Sequence, residues 1–82
     1  MEARVNITYN GQNGDLPDPV NFDATDAEII GWATEAIRSG GVPGISTVPD
    51  ADLQDFVVDR FQADNAYPVP RLMVRPKTPF GV

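Results

Sequence analysis

The sequence has no cysteine and no histidine. The first absence excludes disulfides, thiolate nucleophiles and thiolate metal sites, and the second removes imidazole bases and ligands. Most hydrolytic and redox mechanisms use one of these groups. The expected protein is therefore not an enzyme, and it needs no cofactor and no metal. Lysine occurs once, as Lys77. No apolar run approaches the roughly 18–20 residues of a membrane-spanning helix, so no membrane partner is expected. Met1-Glu2-Ala3-Arg4 is not followed by the apolar stretch of an export signal, which makes the cytoplasm the expected compartment.

The chain has 82 residues, 41% hydrophobic and 22% charged, which fits one small globular domain. A chain of this size buries only about 60–65% of its unfolded surface. A thin core is expected, with one helix lying on one face of a sheet. The net charge is −6 and it is unevenly distributed. Arg4, Arg38 and Arg60 face all twelve acids in residues 1–70, while Arg71, Arg75 and Lys77 follow with no acid. The acidic body repels phosphates, and three clustered cations are few for stable nucleic-acid binding, so no nucleic-acid partner is expected.

Residues 3–10 alternate strictly, with Ala3, Val5, Ile7 and Tyr9 on one side, and predict a strand with one buried face. Asn10-Gly11 and Asn13-Gly14 both suit a hairpin turn. Leu16, Val20 and Phe22 offer a face for a returning strand. Pro17 and Pro19 confine that strand to an edge, a bulge or a late start, with residues 20–23 its most regular part. Thr25-Asp26-Ala27-Glu28 is a capping box. Ile29, Trp32, Ala33, Ala36 and Ile37 follow as an apolar stripe, and Gly40, Gly41 and Pro43 stop the helix, which is expected near residues 26–39. Trp32 is expected in or beside the core, and Gly31 to permit close approach of helix and sheet. Residues 40–55 read as a loop anchored by Ile45, Val48 and Leu53, with one helical turn expected at 49–54. Residues 56–61 favour a strand over the end of a second helix. Residues 63–70 are a connection, and residues 71–75 are the last strand, with Leu72 and Val74 on one face. A domain over residues 1–75 and an extended tail over 76–82 result.

The predicted class is α+β, with the order ββαββ. This order resembles the ubiquitin-like β-grasp family. The shared features are an N-terminal strand opening at residue 3, an immediate hairpin, a capped helix starting in the twenties, and a basic C-terminal strand leading into a tail. The resemblance implies a small non-catalytic protein that acts by protein–protein contact. It also implies a protein modifier whose tail ends in glycine, here Gly81 after loss of Val82, with an activating or conjugating enzyme as partner. The residues assigned to partner contact are Arg71, Arg75, Lys77, Phe80 and Gly81. A monomer is expected. A structural assembly subunit and an acidic inhibitor of a nucleic-acid enzyme are the alternatives. For the tail itself, a docking segment competes with Phe80 folding back over the sheet edge.

The acids Asp50, Asp52 and Asp55 do not match a calcium loop. Counting from Asp50, position five is Gln54 and position twelve is Phe61. Gly11-Gln12-Asn13-Gly14 lacks the helix and lysine of a phosphate loop.

Overall fold

The computed structural model describes residues 1–77. The class is α+β: one helix packs on a mixed five-stranded sheet. The elements are β1 (Glu2–Tyr9), β2 (Gln12–Asp15), β3 (Val20–Asn21), α1 (Asp26–Ser39), β4 (Phe56–Phe61) and β5 (Arg71–Pro76). The strand order is β2-β1-β5-β4, and β3 pairs with the start of β1.

The hairpin turn is Asn10-Gly11, with φ of 52° and 74°. Both residues tolerate the left-handed region that such turns require. Asn13-Gly14 lies within β2, where Asn13 pairs with Thr8 and Gly14 with Ile7. The returning strand is split in two. Its first part, residues 12–15, precedes the expected start, and the regular part after Pro19 is only Val20–Asn21. The prolines at 17 and 19 donate no N–H, so the chain leaves the ladder there and rejoins at Ala3↔Val20.

The helix spans Asp26–Ser39, as its caps predict. Thr25 Oγ1 accepts from the Glu28 N–H at 3.1 Å, and the Thr25 N–H donates to Glu28 Oε1 at 3.0 Å. Gly40, at φ 76°, ends the helix in the left-handed conformation. The Thr25 backbone bond, and then its hydroxyl, hold the Glu28 carboxyl below its ordinary value of 4.5. The carboxylate therefore contributes stability that is present above 4.5 and lost as pH falls through the lower folded value. Melting temperature followed from neutral to acid pH should fall less steeply for Glu28→Gln than for the wild type. Parallel profiles would remove this cap from the acid limb.

Ile29, Ala33 and Ile37 face the sheet and are buried. They meet Ala3, Val5 and Ile7 of β1 and Leu72 and Val74 of β5 in one core, with Phe56 and Val58 of β4 packed against it. Trp32 departs from expectation: it is 42% exposed. The spacing of four between Ile29, Ala33 and Ile37 sets the inward direction, and Trp32 falls on the flank of that stripe. Gly31 also departs, because a Cβ there would meet nothing within 4 Å. No close approach requires it.

Residues 40–55 form the second cover of the sheet. Val42, Ile45, Ala51 and Leu53 are buried in the same core. The expected helical turn at 49–54 is absent; hydrogen bonds from Ala51 N to Val48 O and from Phe56 N to Leu53 O make separate turns. Gln12 fastens the loop to β2: its Oε1 accepts from the Ser46 N–H at 2.8 Å and its Nε2 donates to Ser46 Oγ at 3.2 Å. Arg60 ties β4 to the entry of α1, donating at 2.7 Å to the carbonyls of Phe22 and Ala24 and at 2.6 Å to Asp26.

β1 and β5 run parallel at the centre, in the register Arg4↔Arg71 to Ile7↔Val74. β5 and β4 are antiparallel. Since side chains alternate across a strand, the odd-numbered residues of β5 and the even-numbered residues of β1 share the face turned away from α1.

Candidate functional site: a cleft on the open face of the sheet

The helix and the 40–55 loop cover one face of the sheet. On the opposite face, among the described residues, lies a cleft of about 560 Å³. Its floor is Arg4 and Asn6 of β1 with Arg71 and Met73 of β5. Asn13 and Asp15 of β2 form one wall, and residues 67–69 form the other.

Local chemistry fixes each wall. Asn6 and Asn13 exchange amide hydrogen bonds at 3.0 and 2.8 Å. The Asn6 Nδ2 also donates to Asp15 Oδ1 at 2.7 Å, so this acid is engaged within the wall. On the other side, Asp64 folds the approach to β5. Its Oδ1 accepts from the N–H groups of Ala66 and Tyr67, at 2.9 and 2.8 Å, and its own N–H donates to Tyr67 O. This turn, with prolines at 68 and 70, presents Tyr67 and Val69 to solvent at 52% and 44% exposure. Pro70 is buried, and its carbonyl accepts from the Arg4 N–H at 3.0 Å.

Arg71 is the central residue. Its guanidinium carbon lies 3.9 Å from the Tyr67 ring centre and 5.4 Å from that of Phe61, its register partner on β4. Such cation–π contacts hold the guanidinium plane against the rings. Among the described residues no carboxylate or hydrogen-bond acceptor pairs with it, in contrast to Arg60 and Arg75. Arg4, its neighbour on β1, uses its two terminal nitrogens on the carbonyls of Leu16 and Pro17. Like charges opposed across strands repel. Here two arginines stand side by side in a chain of net charge −6 with no acid between them.

The other residues assigned from sequence are dispersed. Arg75 is on the same face of β5 but is bonded to Asp59 Oδ2 at 2.5 Å. Lys77 follows the end of β5 and is exposed. Phe80 and Gly81 lie outside the described residues, so the fold-back of Phe80 and the reactive tail do too. Tyr67, Val69 and Met73 were missed by sequence reasoning. The available signal was an aromatic and a valine set between prolines, Tyr67-Pro68-Val69-Pro70, in a stretch that otherwise reads as a connection.

Among the described residues, no group of three acids converges as a metal site would require. Asp15 and Asp64 serve the turns and walls described above, and Asp52 accepts from the Gln54 N–H. No helix of the described chain is long and apolar enough to cross a membrane. Compared with family models, curated proteins and solved structures, the chain matches none.

Proposed function

We propose that the protein is a non-catalytic, ubiquitin-like β-grasp module that acts by binding another protein through the open face of its sheet. The observation that carries this reading is the cleft beside Arg71, where exposed Tyr67 and Phe61 lie against a cation that pairs with no acid among the described residues, and exposed Val69 lines the same cleft. Aromatic residues and arginine are the side chains that most often dominate protein contacts. An antiparallel hairpin before the helix, two strands after it and the parallel β1–β5 pair at the sheet centre support the β-grasp assignment. Attachment through Gly81, after loss of Val82 and by an activating or conjugating enzyme, is a further form of this proposal and rests on the tail sequence.

A photo-crosslinking residue placed at Met73, and separately at Gly31 on the outer side of α1, tests the reading in the protein's own cells. A discrete heterologous adduct from position 73 and none from position 31 is expected. An adduct at twice the chain mass of 8.9 kDa would instead favour an assembly subunit. Equal labelling from both positions, or none from either, overturns the proposal.

A further inference from the structure

The observations at the cleft also indicate the chemistry of what enters it. We propose that the cleft binds an extended acidic–apolar peptide segment, seating one carboxylate on Arg71 beside Arg4 and an apolar side chain against Tyr67, Val69 and Met73. The proposal deepens the protein-binding reading and rests on it.

The carboxylate follows from Arg71. Its guanidinium stacks on Tyr67 and Phe61. Stacking occupies the face of the plane and leaves the N–H edge, the part that grips a carboxylate bidentately. The described residues supply no acid for it, although acids outnumber cations twelve to six in the chain. The two carboxylates nearest in the register are committed elsewhere: Asp15 to Asn6 and Asp59 to Arg75. The cleft thus holds a local excess of positive charge on an acidic protein. The same acidity disfavours a polyanion such as nucleic acid, whose remaining phosphates would meet the acidic body.

The apolar component follows from the wall at 67–69 and from Met73. Tyr67 and Val69 are about half exposed, and Met73 adds a side chain that adapts to varied shapes. The extended form of the ligand follows from the floor. Arg4 and Asn6 on β1, and Arg71 and Met73 on β5, repeat at the two-residue interval of a strand, roughly 6.5–7 Å. An extended peptide lying along the strands presents side chains at the same interval. The volume of about 560 Å³ is within the roughly 300–1,000 Å³ of ordinary ligand sites.

The test uses two blocked peptides, acetyl-Gly-Glu-Ser-Val-Ser-Glu-Gly-amide, whose Glu, Val and Glu side chains share one face when the chain is extended, and the same peptide with glutamine in place of both glutamates. Each is titrated into the isotopically labelled full chain and followed by NMR. The acidic peptide should shift the Arg71 Nε–H, the Met73 methyl and the Val69 signals. The glutamine peptide should bind about tenfold more weakly or worse, since a charge-assisted bond is lost. Added salt should weaken the acidic peptide alone. Arg71→Gln should reduce its binding to the level of the glutamine peptide. The peptide comparison itself needs no variant, so a poorly folded Arg71→Gln would not protect the proposal. Equal binding of the two peptides, shifts confined to other faces, or no shift at millimolar peptide overturns it. Stronger competition by inorganic phosphate than by the acidic peptide also overturns it. If crosslinking at Met73 succeeds while both peptides fail, the surface stands and the acidic-peptide chemistry falls. If crosslinking fails too, both readings fall.

Discussion

Ile29→Ala should lower unfolding stability by about 2–5 kcal/mol, the range for deleting a large buried aliphatic side chain. Ile29 is fully buried and belongs to the core that α1 shares with the sheet. It is also the first inward residue of the helix, one residue beyond the capping box. Its truncation leaves a void in the core that α1 shares with β1 and β5, and the cost grows with the part of that void the surroundings cannot fill. A domain of this length has a total stability of roughly 4–12 kcal/mol, so the variant sits near its unfolding threshold. Urea unfolding measures the loss. Ile29→Val, expected to cost about 0.5–1.5 kcal/mol, provides a variant that still folds. A midpoint unchanged by both substitutions would contradict the packing of α1 on the sheet. Ile7→Ala, on the strand opposite, should match the alanine result in size.

Gly14→Ala should cost about 3 kcal/mol, the upper part of the range for overpacking. A Cβ at Gly14 would lie 2.1 Å from the carbonyl oxygen of Pro43 and 3.0 Å from a methyl of Val42. The obstacle is backbone, so a rotamer change cannot relieve it. Either β2 or the 42–44 segment must move, and the bonds between Gln12 and Ser46 resist that. Gly11→Ala separates this effect from conformational strain. Gly11 has φ of 74° but nothing within 4 Å of its Cβ position, and its cost is expected at about 1–2 kcal/mol. Comparing the two thermal melts tests the assignment. A Gly14→Ala midpoint at or above that of Gly11→Ala would mean that the loop does not press on β2.

The same contact explains what could be read in the sequence and what could not. β1 is visible because Ala3, Val5 and Ile7 alternate with polar residues, and α1 because Thr25, Glu28 and Gly40 mark its ends. These signals are local. β2 carries no such signal. Gln12-Asn13-Gly14-Asp15 has no apolar side chain, since its inward position is filled by a loop some thirty residues later. The prolines at 17 and 19 foretold a broken edge, but the place of the break depended on which partner residues remained free on β1. Trp32 misled because an apolar stripe gives its width only once the sheet beneath it is known.

The cleft was still less legible. It joins β1, β2, β5 and residues 67–69, which are brought together only by the parallel pairing of β1 and β5. Arg71 was singled out as part of a basic tail. The structure places it in the sheet centre, beside an aromatic residue that the intervening turn delivers. Arg75, equal to it in the sequence pattern, is neutralised by Asp59 on the adjacent strand.

The central position of β5 also constrains how the protein can be made. β5 lies between β1 and β4, so neither neighbour has its inner partner until residues 71–76 exist. A nascent chain leaving the ribosome N-terminus first can form the β1–β2 hairpin and the capped helix by itself. The sheet cannot close before nearly the whole described chain has been synthesised. Folding is therefore delayed until residues 71–76 have been synthesised and proceeds through long-range closure, which is slow for a domain of this size. Until then β1 and β4 each lack their neighbour in β5, and the unpaired strand edges are the part of the nascent chain most exposed to wrong pairing.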